Sequence, residues 1–469
     1  MRSKEDTMER FDIIIIGGGI GGLLASYRLK TANPKLHVAI IEKGALLEKR
    51  KCPASSEKGC QKCKICAITS GYGGAGARSD GKLNLGTAYG GTLGEELGEI
   101  KAMKYINEVD NVLSQFADLD ENNRPDYPEM YRSNEELKTL CLQNNLRLLD
   151  MNVRHLGTDR NFNILKNLIN ELGRIGVVMK TMTDIKKVTR TTDGFAVESN
   201  NQSFECRKII IAVGRGGAKF VSDFCNDFQI QFDSNAVDIG VRVEMKDAIW
   251  RHFSSKIYEP KILCRTKTFE DRTRMFCFNQ GGLVSAENNN GVITANGHSF
   301  SDPEKKTDNC NFAILSSIHF TQPFNKPTEY VESISRLANS IGNGNVIVQR
   351  FGDLVRGRRT NEHRLGQNSV IPTLKATPGD ISLVLPHRIL TNIIETVYAL
   401  DKVSPGTAND DTLFYGCEAK YYSLKPIHKP NFEVMDDVYI IGDCSGITRG
   451  LSQAGAMGLY VADDIIAKR

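Results

Sequence analysis

Cys52, Cys60, Cys63 and Cys66 stand in one short run, CPASSEKGCQKCKIC, with the spacing C-x7-C-x2-C-x2-C. Thiolates two residues apart converge on a single ion from one loop, and two successive C-x2-C steps suit an iron–sulfur cluster. The same ligand set suits tetrahedral zinc, and the same thiols could instead work as a redox-active pair. All four are candidate metal ligands, with [4Fe–4S] as the first expectation and zinc as the alternative. Pro53 stiffens the loop after its first ligand. A disulfide framework is not expected. The chain opens on MRSKEDTMER, charged on both signs and without the apolar stretch of an export signal, so its 12 cysteines should sit reduced in a cytoplasmic setting. The other eight are scattered, as small buried apolar residues are.

A second set of residues is suited to phosphate. Gly17, Gly19 and Gly22 form G-x-G-x-x-G in IIIIGGGIGG. The pattern serves a tight turn, a close approach of backbone to a pyrophosphate, and a helix whose N-terminal amides face it. Glu42, twenty residues after Gly22, is placed to accept hydrogen bonds from a ribose. The glycines alone are weak evidence, since any glycine-rich turn would look the same.

The elements around them supply the rest. Ile13 to Ile16 read as a strand, Leu23, Leu24, Tyr27 and Leu29 as the apolar face of a helix, and LHVAII as a second strand leading to Glu42. Strand, turn, helix and strand make a βαβ unit. Far downstream, DVYIIGDCSGITRGLSQAGAMG reads as a strand ending at Gly442-Asp443, a turn, and a helix of small residues. Between them, residues 176–217 alternate into strands, turn at Asp193-Gly194, and finish at Ala212-Val213-Gly214.

This arrangement resembles the glutathione-reductase-like FAD fold. The resemblance implies that Asp443 lies on the ribityl chain, that residues 445–453, with Gly450 and Leu451, meet the flavin ring edge, and that Gly214 ends a strand returning to the nucleotide domain. Gly442 belongs to the same turn. No second strand–GxGxxG–helix occurs, so NADH or NADPH, if either donates electrons, would dock transiently at the flavin.

Several segments in fixed order resemble a widespread family of bacterial and archaeal FAD-dependent dehydrogenases over nearly the whole chain. They are the cysteine run with SGYGGAGARSDGKLN, then VDIGVRVE, RMFCFNQGGLV, ANGHSF, GDLVRGRRT, PTLKATPGDISLVLPHRI and IGDCSGITRGLSQAGAMG. The resemblance implies a flavin oxidoreductase and brings no substrate with it. Arg78 and Cys444 depart from the family's commoner residues, both in loops expected to face the flavin.

Within SGYGGAGARSDGKLN, Arg78, Ser79 and Asp80 are candidate cofactor contacts and Lys82 a candidate catalytic residue; ordinary loop hydrogen bonding is the plainer account. Arg242 interrupts an apolar strand and needs an anionic partner, either a substrate or a structural carboxylate. His298, in ANGHSF, is a candidate general acid, although a lone histidine is more often structural. Arg350, Arg356, Arg358, Arg359 and Arg364, with His363, form the one basic concentration. It lacks the interleaved aromatics that stack on bases, so nucleic acid is an unfavoured partner.

Length and composition frame these sites. The chain has 469 residues with 40% hydrophobic and 25% charged, enough for two or three domains. Its 60 Lys+Arg against 56 Asp+Glu leave +4, too little to imply a nucleic-acid or membrane partner, and no apolar run reaches the length of a membrane span. The expected class is α/β: a Rossmann-like FAD-binding domain, discontinuous in sequence (10–95, 151–225 and 431–469), with a mainly helical insertion at 96–150 and an inserted α+β substrate domain at 226–430. The expected function is an FAD-dependent oxidoreductase moving a hydride between flavin and a small organic substrate. Coupling to a cysteine-held cluster, electron transfer to a protein such as ferredoxin, and a non-catalytic RNA-associated flavoprotein are the alternatives.

Overall fold

A computed structural model describes residues 8–53, 63–150, 152–233, 235–289, 291–298, 303–320, 323–324, 326–420 and 423–468. The chain divides into two compact units, one of residues 1–130, 152–233 and 423–469 and the other of 131–151 and 234–422. The class is α/β, as expected.

The first unit is built on a mostly parallel sheet. Its strand order is Glu433–Met435, Val438–Ile440, Ser203–Ile211, Glu9–Ile16, Val38–Ile41 and Val178–Lys180. The five from Val438–Ile440 to Val178–Lys180 run parallel, with Ile16 beside both Ile41 and Ile211. A parallel sheet is covered on both faces, so its strands need unbroken runs of β-branched residues, and IIII, VAII and III supply them. Ile13, Ile15, Val38 and Ile40 face one core; Ile14, Ile16, Ala39 and Ile41 face the other.

Two helices from opposite ends of the chain cover the first of these faces: Ile20–Ala32 and Leu451–Ala467. They cross closely because glycines meet there. A Cβ on Gly458 would overlap the Gly21 carbonyl oxygen, and one on Gly455 would lie 2.7 Å from the Leu24 side chain. The hairpin Ile185–Thr191 and Gly194–Ser199 extends the return strand Ser203–Ile211 on its antiparallel side.

The second unit holds an eight-stranded sheet. From one edge to the other it runs Thr377–Pro378, Ile347–Arg350, Leu413–Lys420, Val237–Lys246, Asn309–Ile318, Arg272–Asn279, Ile262–Arg265 and Leu146–Leu148. All pairings are antiparallel except the first. Residues 131–151 belong here, and not to the helical stretch that precedes them, because Leu146–Leu148 pairs with Ile262–Arg265 and closes that edge. In Val237–Lys246, Ile239, Val241, Val243 and Met245 face an apolar core shared with Ile389, Ile393, Val397 and Leu400 of the helix His387–Asp401. Asp238, Arg242 and Glu244 alternate with them and face the other side, as a pleated strand dictates.

Candidate functional site

Gly17, Gly19 and Gly22 form the turn from Glu9–Ile16 into Ile20–Ala32. Gly17 has φ +109° and abuts the return strand: a Cβ there would overlap the Ala212 carbonyl oxygen, so only glycine fits. Gly22 lets the helix pack on its own turn, since a Cβ would collide with the Gly17 carbonyl oxygen. Gly19 differs. A Cβ there meets nothing within 4 Å. Gly19 is also the N-cap of the helix, extended and without a side-chain cap, so no capping side chain meets the first helical amides. Such backbone donors and the positive end of a helix dipole suit an anion.

Glu42 is 7% exposed, and its carboxylate is occupied by backbone. Oε2 accepts from the Gly18 N–H at 2.8 Å; Oε1 accepts from Gly44 and Gly71 N–H groups, both at 2.9 Å. The structure therefore makes Glu42 a knot that ties three loops around the turn. The ribose contact expected for this position would compete with those bonds.

The segment 71–84 bridges the N-termini of the two crossing helices. Gly73 N–H donates to the Gly18 carbonyl at 2.8 Å, and a Cβ on Gly74 would lie 3.1 Å from the Gly19 Cα. At its other end, a Cβ on Gly76 would overlap Leu451, and one on Gly450, the uncapped N-cap of Leu451–Ala467, would lie 3.8 Å from the Asn84 side-chain nitrogen. A path of contacts through Gly19, Gly74, Gly76, Leu451 and Gly450 thus joins the two helix N-termini. Ser79 Oγ bonds the Gly76 carbonyl at 2.7 Å, and Asn161 Nδ2 donates to the same carbonyl at 2.8 Å, so both hold the loop.

Arg78 donates to the Arg50 carbonyl and lies 5.9 Å over the Phe162 ring. Lys82 pairs with Asp80 at 3.4 Å, and His155 Nε2 approaches the same carboxylate at 3.2 Å. Lys82 and His155 are opposite one another in a short antiparallel ladder, Lys82–Asn84 with Val153–His155, so they share a face with Asn84. Burial pushes the Asp80 carboxyl up, but His155 and Lys82 outweigh it and hold it below its ordinary value.

The return strand Ser203–Ile211 leads to Gly214, where a Cβ again meets nothing within 4 Å. Gly442 and Asp443 follow the strand Val438–Ile440, whose neighbour is that return strand. Thr448 Oγ1 donates to Asp443 Oδ1 at 3.0 Å, and Arg215 Nε lies 3.8 Å from Oδ2. Burial pushes the Asp443 carboxyl above its ordinary value, a rise that Arg215, Thr448 and Arg449 only partly offset. Cys444 is buried, and its thiol is pushed up to about 12 by burial, so it fills space and does no acid–base work.

Arg242 and His298 belong to the second unit. Arg242 is wholly buried: Nε and Nη2 donate to Asn311 Oδ1 at 2.9 and 2.6 Å, Nη2 also donates to the Cys277 carbonyl at 2.7 Å, and Nη1 lies 3.5 Å from Glu418. Its charge is answered within its own sheet. A Cβ on Gly297 would overlap the guanidinium, which gives the glycine of ANGHSF a packing reason. His298 ends the strand Val292–His298 and is exposed.

Cys52, Cys63 and Cys66 are exposed free thiols, and Cys60 lies outside the described residues. Among the described residues no group of three His, Cys, Asp or Glu side chains is arranged to hold a metal. Burial raises the Cys66 thiol, but the Thr69 amide and hydroxyl, the Ile68 amide and the Arg50 charge bring it below its ordinary value. Arg50, which the sequence reading passed over, anchors this loop. Nearly fully buried, it donates to the carbonyls of Ala67, Tyr72, Gly74 and Ile68 at 2.7–3.0 Å. Its only signal in the sequence was its place beside the cysteine run.

The arginine concentration is largely paired. Arg350 meets Asp411, Arg356 meets Asp410 at 2.8 Å, and Arg358 and Arg364 converge on buried Asp353 at 2.7 and 3.1 Å. Among the described residues no helix is long and apolar enough to cross a membrane.

Residues 236–421, most of the second unit, match the family described as FAD-dependent protein, C-terminal domain-like. A protein of Clostridium beijerinckii (strain ATCC 51743 / NCIMB 8052), described as "Uncharacterized protein", is 23% identical over 339 residues. The match takes in 67% of this chain and 62% of that relative, less than two thirds of its length. Among solved structures, L-proline dehydrogenase from P. horikoshii is 12% identical, with 98% of this chain and 95% of that one covered and a TM-score of 0.40. Glycine oxidase from Geobacillus kaustophilus is 10% identical, with 98% and 96% covered and the same TM-score. Likenesses this weak bear no functional weight.

Proposed function

We propose that the chain is an FAD-dependent oxidoreductase whose first unit holds the cofactor. The observation that carries this reading is the path from Gly19 to Gly450: two uncapped helix N-termini, bridged by a glycine-rich segment, with open space at Gly19 and Gly214. FAD carries one anionic pyrophosphate between the adenine and the isoalloxazine, and two helix ends suit the pyrophosphate and the isoalloxazine edge. The match of the second unit to an FAD-dependent family agrees with it.

In this reading the amides after Gly19 take the pyrophosphate and Asp443 the ribityl hydroxyls, while Gly450 and Leu451 present the last helix to the ring. When bound, FAD accepts or donates a hydride. The chain's own residues position and polarise. Lys82 and His155 hold the Asp80 carboxylate charged on the face shared with Asn84, which keeps a fixed negative charge between two donors at the Gly450 end of the path. The organic substrate is read as a small molecule, with NADH or NADPH as a transient electron source.

The cysteine run is proposed to carry electrons or a metal on the strength of its C-x7-C-x2-C-x2-C spacing. It would make an electron-transfer partner such as ferredoxin a second route into the flavin. Nothing in the paired arginines favours RNA.

The test is an absorption spectrum of protein purified without oxygen, with released flavin identified and iron and zinc counted. Flavin bands with FAD as the released species are expected. Folded protein that neither carries nor takes up FAD would sink the reading. Bleaching on addition of NADH or NADPH identifies the donor, and loss of iron or zinc in Cys63→Ser identifies the run as a metal site.

A further inference from the structure

Arg215 stands between Gly214 and Gly216 at the end of the return strand, in a loop that runs beside the Gly17–Gly22 turn. Ala212 N–H donates to the Ile16 carbonyl at 2.8 Å, and a Cβ on Gly17 would press on Ala212 and Val213. The Arg215 side chain is 64% exposed. Among the described residues its ionic contact is Asp443 at 3.8 Å, too long for a hydrogen bond. Other cations nearby are Arg449, whose charge also acts on Asp443, and Lys43, whose ammonium lies 4.0 Å from a Cβ placed on Gly216.

The charges around the opening pose a problem for an anionic cofactor. Two carboxylates, Glu42 and Asp443, flank it. Glu42 is satisfied by three backbone N–H groups, whereas Asp443 has one hydroxyl donor and a guanidinium held just out of reach. A pyrophosphate brings further negative charge into that space. Apart from Arg215, the helix amides, Lys43 and Arg449 are what oppose that charge.

We propose that Arg215 is a phosphate-binding residue, the cation that lets a diphosphate settle beside Asp443. The inference rests on the FAD reading above and adds a residue to it. A guanidinium stays charged at any working pH and offers two parallel donors that match a phosphate, and the side chain is exposed and lightly held, so reaching the phosphate costs little. The carboxylate it leaves is the one assigned to the ribityl hydroxyls.

The test compares FAD with ADP, which has the diphosphate and lacks the ribityl chain. Flavin-stripped wild type, Arg215→Gln, Arg215→Lys and Asp443→Asn are titrated with each ligand by calorimetry at low and moderate salt, with thermal melting as a check on folding. Arg215→Gln should weaken both ligands by about tenfold or more and flatten the salt dependence. Arg215→Lys should fall between, and Asp443→Asn should weaken FAD while binding ADP at least as tightly as wild type. A wild type that takes up neither ligand overturns the FAD reading and this inference with it. A wild type that binds both, beside an Arg215→Gln protein that binds ADP equally well, overturns the assignment of Arg215 alone.

Discussion

Single residues in this protein divide by what surrounds their Cβ. Gly19 and Gly22 belong to the same motif, yet one faces open space and the other the Gly17 carbonyl oxygen. Gly19→Leu should keep stability within about 0.5 kcal/mol and lose bound flavin, whereas Gly22→Ala should cost about 1–3 kcal/mol by overpacking. Urea midpoints and flavin absorbance on the same samples separate the two. Asp80 sets a pH dependence. Its folded carboxyl titrates below the ordinary 3.8, so its stabilising contribution is complete above about pH 5 and is lost as pH falls through the folded value. The stability gap between wild type and Asp80→Asn should therefore shrink as pH falls below 3.8; a gap that grows there would refute the role given to His155 and Lys82. The GxGxxG glycines and Asp443 were legible because backbone clearance and strand ends have sequence signatures. The occupation of Glu42 by three amides was not, since it depends on loops 24 and 29 residues away.

At the scale of elements, the strand Val237–Lys246 carries the clearest tension. Its alternate residues put Arg242 against Glu418 with neither exposed to water. Removing one partner leaves an uncompensated buried charge, so Glu418→Gln should destabilise by about 3–5 kcal/mol, and Arg242→Met with Glu418→Leu should recover only part of the loss, because Lys420, 3.1 Å from Glu418, then lacks its partner. Chemical denaturation of the single and double variants measures it, and additive losses in the double would show that the pair does not act as a unit. From the sequence alone Arg242 read as an interruption of an apolar strand that needs an anionic partner. Its partner lies on the neighbouring strand Leu413–Lys420, and strand order is invisible to a local pattern. The crossing of Ile20–Ala32 with Leu451–Ala467 is similar: small residues in the second helix marked a close approach, but only the fold names Gly21 as what Gly458 meets.

For the whole molecule, FAD added to stripped protein at a hundredfold excess over Kd should raise stability by about 2.7 kcal/mol, read as a shift in Tm. No shift at any FAD concentration would remove the cofactor reading. The near-neutral charge and the paired arginines predict weak, non-specific RNA binding that vanishes at moderate salt; filter binding that persists there would revive an RNA role. By itself the sequence determined the α/β class, the strand–glycine–helix turn, and the return of the last strand to the first domain. Each of these is written in hydrophobic periodicity and in the backbone clearance of glycine, which act over a few residues. The tertiary structure alone decided that residues 131–151 join the second unit, that Glu42 ties loops together, that Arg50 anchors the segment after the cysteines, and that Arg215 stands beside Asp443. Those facts depend on which distant segments meet, and the pairing of charges and carbonyls across a fold leaves no trace in the local order of residues.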